Sequence, residues 1–186
     1  MSATDEDVAN ISYWGKRWDE NRTGWHRPVV NPALKKYFKQ LTNSDIPENF
    51  EESDFKCTLK NEQFYVPLCG KTMDIPFLLR VGYRVFGVEA VKSAIEALAT
   101  EHSLDLKLNE KESIYSTHDG RLRIYYGDLF TCPLEKWGPY DYVWDRGALI
   151  AVEYVARKPY IAAMQRALTN PETKKCMLKY TKKLSL

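Results

Sequence analysis

Residues 64–89 read FYVPLCGKTMDIPFLLRVGYRVFGVE, and the order of residue types in this stretch decides the fold. An apolar run of Phe64, Tyr65 and Val66 meets a turn at Pro67-Leu68-Cys69-Gly70-Lys71. A helical patch with Met73, Ile75, Phe77, Leu78 and Leu79 then stops at Gly82, and a second β-rich run covers Tyr83 to Val88. Strand, turn, helix and strand in this order predict a right-handed parallel βαβ crossover. Such a unit opens its first turn at the carboxyl edge of the sheet, where nucleotide-like ligands bind, and an acid ending the second strand accepts both hydroxyls of a ribose. Glu89 follows Gly70 by 19 residues, close to the ~20 of dinucleotide-binding units. The turn has one glycine where G-x-G-x-x-G has three, so the backbone is not cleared for a pyrophosphate. That favours a nucleoside without phosphates and disfavours a nicotinamide oxidoreductase. Beside this reading stands a plain one, in which Glu89 only ends a strand in solvent.

The chain has 186 residues, enough for one domain with a real core and too few for two ordinary ones. An apolar content of 44% with 28% charged residues is globular. A formal net charge of +2, with no basic stripe, gives no reason to expect nucleic acid. Cys57, Cys69, Cys132 and Cys176 lie too far apart for a metal knuckle and are read as reduced thiols. Residues 1–10 are acidic and polar, the reverse of a signal peptide, and are expected to be a disordered tail ahead of one domain over 11–186. No run approaches the ~20 apolar residues of a membrane span, so a cytoplasmic protein is expected.

Three of the five tryptophans, Trp14, Trp18 and Trp25, fall within twelve residues. Trp14 and Trp18 share a helix face, and turn chemistry from Asn21 to Gly24 swings Trp25 back toward it. The rings either pack an N-terminal helix on the core or form a lid whose indole faces shield a cation, and the two are compatible. Pro32 to Leu41 reads as a short helix, Thr42 to Lys60 as an exposed polar insertion, and Val91 to His102 as a helix. Leu104 to Leu108 and Ser113 to Thr117 are short extended pieces, and His118-Asp119-Gly120 is a hairpin turn into a strand over Leu122 to Tyr126. That strand ends at Asp128 and Leu129, so a second acid borders the crevice of Glu89. A strand over Asp141 to Trp144 leads to Asp145 and Arg146 at its mouth, followed by a helix over Val155 to Leu168 and a last strand over Lys175 to Tyr180.

These residues resemble the thiopurine S-methyltransferase family: Trp14, Trp18 and Trp25-His26, then Pro67 to Lys71, then Gly87-Val88-Glu89, then Trp144 to Leu149, in that order and at similar separations. The resemblance implies an α/β fold, a doubly wound, mostly parallel Rossmann-like class I methyltransferase sheet. It also implies S-adenosylmethionine as methyl donor and a small aromatic or heterocyclic thiol as acceptor. Carried over by position, Trp14, Trp18, Leu68, Gly70, Glu89, Asp128, Leu129 and Arg146 line the donor pocket, and Trp25 sits between donor and acceptor. The family's sheet continues past the fifth strand into a hairpin for which this sequence has no counterpart. The final C-terminal strands are thus expected to be absent, with the last strand an edge open to self-association in an otherwise monomeric protein. A shortened, catalytically impaired chain acting as a donor-binding or interaction module is the competing expectation.

Methyl transfer from a sulfonium to a thiolate makes charge disappear, so positioning and exclusion of water matter more than a triad, metal or carboxylate pair. A thiol supplies its own nucleophile as thiolate, and a dedicated base is optional. Asp145 and Arg146 are the candidate catalytic pair, Arg146 by gripping a substrate anion or the donor's carboxylate. An ion pair or helix cap between the two is the competing reading. His26, after an aromatic at a proline turn, invites a general-base role but is read rather as structural, and Cys69 as packing.

Overall fold

A computed structural model describes residues 11–52, 55–168 and 175–178. The expected tail at 1–10 and the last strand beyond Leu178 lie outside them. Among the described residues, two helices precede the sheet, α1 (Ile11–Asp19) and α2 (Pro32–Thr42). The βαβ unit follows as β1 (Gln63–Val66), α3 (Asp74–Arg80) and β2 (Arg84–Glu89). Next come α4 (Lys92–Glu101), β3 (Lys107–Asn109), β4 (Ile114–Ser116) and β5 (Leu122–Tyr126). The chain continues through α5 (Leu134–Trp137), β6 (Tyr142–Asp145), α6 (Ala148–Ala151), α7 (Arg157–Leu168) and β7 (Lys175–Leu178).

The seven strands form one sheet in the order β3-β4-β5-β2-β1-β6-β7. β5, β2, β1, β6 and β7 pair in parallel, while β4 runs antiparallel to both β3 and β5. The chain begins the parallel part at β1 and moves outward through β2 to β5, then returns to β1's other side with β6. The strand order therefore reverses at β1, and in doubly wound sheets the crevice at such a reversal receives the ligand.

Alternation along the strands splits the core in two, as a sheet covered on both faces requires. Phe64, Val66, Val85, Tyr142 and Trp144 point to one face, where they meet Leu34 and Phe38 of α2, Ile75 and Leu78 of α3, and Ile95 and Leu98 of α4. Tyr65, Phe86, Val88 and Val143 point to the other, against Leu134 and Trp137 of α5 and Tyr160, Ala163 and Met164 of α7.

Local chemistry sets the element ends. The Asn31 side chain accepts the N–H of Ala33 at 3.0 Å and Pro32 takes the first position of α2, a favoured helix start. Gly82 has φ +101°, and a Cβ there would lie 2.2 Å from the Thr58 carbonyl oxygen, so only glycine fits the stop after α3. The segment over 42–60, expected as an exposed insertion, is largely exposed or half-exposed among its described residues, yet it is held to the core. Phe50 packs edge-on against Phe77 at 5.4 Å, Arg80 donates to the carbonyls of Phe50 and Glu52, and Lys60 Nζ donates to the Tyr83 hydroxyl at 2.9 Å. Past Thr42, which ends α2, the described residues of the segment form no helix or strand, yet they are fastened to the core. Two four-residue helices, α5 and α6, had no sequence signal of their own.

Candidate functional site

A cavity of about 530 Å³ opens at the carboxyl ends of β1, β2, β5 and β6, roofed by α1 and the loop to α2. All nine residues expected at a donor pocket line it: Trp14, Trp18, Trp25, Leu68, Gly70, Glu89, Asp128, Leu129 and Arg146.

Glu89 lies at the floor, 7% exposed. Gly70 N–H donates to its Oε2 at 2.8 Å and Val91 N–H to its Oε1 at 2.9 Å. Burial raises its pKa above the ordinary carboxylate value, and the amides of Val91, Gly70 and Ala90 oppose that rise. Each oxygen spends one of its lone pairs on the backbone and keeps acceptor capacity toward the cavity. The Gly70 turn is tightly built. Leu68 has φ +43° and Gly70 φ +51°, and a Cβ on Gly70 would come within 3.1 Å of Trp18 Cζ2. A strained non-glycine residue of this kind is a feature of ligand clamps. Beneath the turn, Cys69 is buried, its thiol pushed well above the ordinary range by burial and by Glu89. A Cβ on Gly87 would meet its sulfur at 2.9 Å, so Cys69 packs rather than reacts.

The three indoles form one cluster. Trp25 meets Trp14 edge-on at 5.0 Å and Trp18 edge-on at 5.9 Å, and the Arg17 guanidinium sits 5.1 Å from the Trp25 ring centre. The expected return of Trp25 to the α1 face therefore occurs. One of its interactions with positive charge is already taken by the protein itself.

Arg146 and Asp145 part company. Asp145 is fully buried. Its Oδ1 accepts the N–H groups of Gly147 and Ala148, both at 2.7 Å, and its Oδ2 accepts the Tyr160 hydroxyl at 2.6 Å and Leu149 N–H at 3.3 Å. The candidate role of Asp145 in catalysis is thereby corrected: it caps α6 and ties it to α7, away from the cavity. Arg146 faces the cavity without a hydrogen bond or ion pair among the described residues. Burial pushes its pKa down and the nearby Arg27 adds to that, while Asp74 and Cys69 oppose it. Asp74 is itself buried, accepting Asn31 N–H at 2.7 Å and the Trp144 indole N–H at 2.8 Å. It joins the start of α2 to the end of β6.

Asp128 lines the same cavity as Glu89, and its Oδ1 accepts Phe130 N–H at 2.9 Å. His26, weighed as a base and read as structural, lines the cavity, and the sequence reading missed Arg27, Asn31, Lys71, Thr72 and Phe130 as cavity residues. Lys71 is paired with Glu101 of α4. Lys71 and Thr72 belong to the turn that carries Gly70; His26, Arg27 and Asn31 reach the cavity through the path of the loop between α1 and α2, and Phe130 through the loop after β5. Among the described residues, no group of three or more His, Cys, Asp or Glu side chains is arranged to hold a metal ion. No described helix is long and apolar enough to cross a membrane.

The thiopurine S-methyltransferase family model matches residues 9–182. The chain belongs to that family. A thiopurine S-methyltransferase of Acinetobacter baylyi is 34% identical over 154 residues, covering 80% of this chain and 64% of the relative. A probable thiopurine S-methyltransferase of Danio rerio is 31% identical over 171 residues, covering 88% of this chain and 67% of the relative. The chain thus spans about two thirds of the length of these family members. Among solved structures, one described as converting a disulfide bond into a thioacetal group in echinomycin biosynthesis superimposes with TM-score 0.53 at 20% identity, over 84% of this chain and 54% of that one. A Burkholderia thailandensis 1,6-didemethyltoxoflavin-N1-methyltransferase superimposes with TM-score 0.52 at 16% identity, over 90% of this chain and 60% of that one. At these identities the likeness concerns the fold, and it agrees with the class I methyltransferase sheet expected for the family.

Proposed function

We propose that this protein binds S-adenosylmethionine and directs its methyl group to the sulfur of a small aromatic or heterocyclic thiol. The observation that carries the reading is Glu89: a buried carboxylate at the end of β2, braced by two backbone amides, with acceptor capacity left toward the cavity. That arrangement suits the two hydroxyls of a ribose. The single-glycine turn suits a nucleoside without phosphates, and family membership favours the same donor.

When bound, the donor supplies a methyl group activated by a sulfonium. Glu89 would hold the sugar, the Leu68–Gly70 turn and the Trp14 and Trp18 rings its amino-acid side, and Asp128 and Leu129 its base. Arg146, a cation without a hydrogen bond or ion pair among the described residues, would grip either the donor's carboxylate or an anionic acceptor. Trp25 would separate the two halves of the cavity. Orientation of acceptor sulfur toward the methyl carbon supplies up to ~7 to 11 kcal/mol of the barrier reduction, and the indole roof keeps water from both charges. The protein works as a monomer in the cytoplasm on this reading, without nucleic acid or membrane.

Calorimetry with S-adenosylhomocysteine on the full chain tests donor binding directly. The wild type is expected to bind, and Glu89→Gln to bind at least tenfold more weakly, about 1.4 kcal/mol. Labelled donor and a panel of aryl thiols then test transfer. Absence of binding at millimolar ligand overturns the reading, whereas binding without transfer to any thiol supports a donor-binding module instead.

A further inference from the structure

Arg27 and Arg146 both line the cavity, and one buried anchor holds the segments that carry them. The Asp74 carboxylate accepts Asn31 N–H at 2.7 Å through Oδ1 and the Trp144 indole N–H at 2.8 Å through Oδ2. The first bond fixes the α1–α2 loop four residues after Arg27, and the second fixes β6 two residues before Arg146. On its other side the loop is held by Trp25, packed edge-on against Trp14 and Trp18, and by His26 N–H donating to the Thr23 carbonyl at 2.8 Å. Arg27 thus stands on a short loop braced at both ends.

Neither arginine has a hydrogen bond or ion pair among the described residues, Arg27 being exposed and Arg146 half-buried. They lie close enough that Arg27 adds to the effect of burial in lowering the pKa of Arg146, against Asp74 and Cys69. Most acids of the cavity stand elsewhere. In the strand order β5-β2-β1-β6, Asp128 just past β5 and Glu89 at the end of β2 fall on one side of β1, and Arg146 just past β6 falls on the other. Lys71 is paired with Glu101. Glu153, beyond α6, lines the cavity but forms no ion pair with either arginine among the described residues. The cavity is therefore polarised, with carboxylates toward β5 and β2 and two neighbouring guanidiniums toward β6. Like charges side by side repel, and a cleft wall of one sign attracts the opposite one.

The methyl donor brings a single carboxylate, and two guanidiniums can hold two anions. Resting on the methyl-transfer reading above, we propose that Arg27 pairs with a carboxylate borne on the ring of the acceptor, so that this chain prefers aromatic thiols that carry an acid group. The planar guanidinium presents two parallel N–H donors to a carboxylate. Arg146, the more buried of the two, is left for the carboxylate of the donor. Val29, 54% exposed beside Arg27, and Ile150 and Val152 give this half of the cavity an apolar wall for the ring.

Arg27 is in this way a specificity-determining residue. It touches the acceptor's substituent and not the reacting sulfur, so its effect falls on acceptor binding. Because Arg27 is exposed, dissolved salt screens the pairing, and the preference for an acid-bearing acceptor weakens as ionic strength rises.

The test measures kcat/KM for thiophenol and for the three mercaptobenzoate isomers, at a pH where every sulfur is ionised, on the wild-type full chain and on Arg27→Gln, Arg27→Lys and Arg27→Glu. The wild type is expected to prefer at least one mercaptobenzoate by roughly tenfold or more, the worth of one charge-assisted hydrogen bond. Arg27→Gln is expected to lose that preference through KM, Arg27→Lys to keep part of it, and Arg27→Glu to reverse it. A wild type without the preference, or an Arg27→Gln that slows thiophenol and the mercaptobenzoates by the same factor, overturns the proposal. So does calorimetry in which Arg27→Gln weakens S-adenosylhomocysteine by as much as it weakens the mercaptobenzoate, since Arg27 then serves the donor. Should the variants fail to melt cooperatively, the wild type decides: its preference must shrink at least roughly threefold between about 0.05 and 0.5 M sodium chloride, and a preference indifferent to salt overturns the role of Arg27. A wild type that neither binds S-adenosylhomocysteine nor methylates any thiol overturns the methyl-transfer reading itself, whereas one that methylates thiophenol and the mercaptobenzoates equally well removes only the role of Arg27.

Discussion

Glu89 carries two pH dependences of opposite sign. Its carboxyl must be ionised to accept both ribose hydroxyls, so donor affinity is full above its raised pKa and falls as the pH drops through it. The expected midpoint lies above the ~4.3 of an ordinary glutamate, and calorimetric titration of S-adenosylhomocysteine between pH 4.5 and 8 locates it. Stability runs the other way. A group whose folded pKa is raised adds stability that is present below its unfolded pKa and is lost as pH rises through the folded one. Measured against Glu89→Gln in denaturant melts, the wild type should therefore gain as the pH falls through that range. Asp145 offers a contrast at the same scale. All four of its donors depend on carboxylate oxygens, and Asp145→Asn turns one acceptor into a donor facing N–H or O–H groups. The expected loss is about 2 kcal/mol or more, read from the denaturant midpoint. Glu89 announced itself by its distance from Gly70, but the capping of α6 by Asp145 could not be read from Trp144-Asp145-Arg146, because a carboxylate at a strand mouth serves a cavity or a helix end equally well.

α1 has an amphipathic pattern and buries no residue completely. Among the contacts that hold it are the edge-on contacts of Trp25 with Trp14 and Trp18, worth about 0.5 to 1.5 kcal/mol each beyond their area, and Ser93 Oγ donating to Asp19 Oδ1 at 3.0 Å. An element that sends no residue into either core cluster belongs to the low-stability end of a fold, where ligand-covering segments are found. Deleting residues 1–19 is expected to leave the melting temperature within a few degrees, since neither core cluster loses a member, while weakening donor binding at least tenfold. Calorimetry and thermal melts on the deletion variant check both halves. The βαβ unit, α2 and α7 were legible because their apolar residues recur at strand or helix spacing, and α4 because its alanine-rich sequence favours a helix. α5 and α6 were not: four residues are too few to show a period, and both exist because neighbouring strands and α7 press on them.

In the molecule as a whole, one sheet is covered by apolar packing on both faces, and the cavity opens at the carboxyl ends of its strands. A ligand that binds only the folded state at 100 times its dissociation constant adds about 2.7 kcal/mol. For a chain of this size that corresponds to about 5 to 10 °C in melting temperature. S-adenosylhomocysteine is expected to produce that rise and NAD none, as scanning calorimetry would show. The parallel βαβ core, the acid at the end of β2, the covered faces of β1 and the indoles gathered near one end were all determined by the sequence alone. Each follows from local spacing, which fixes which face or end of an element a residue occupies. Only the tertiary structure decided that Asp145 turns inward while Arg146 looks into the cavity, that the polar segment over 42–60 is fastened by Phe50 and Thr58, and that His26 lines the cavity beside Trp25. These are matters of which distant segments meet across loops whose path no local pattern encodes, and there the balance of burial against hydrogen bonding is struck only once the neighbours are in place.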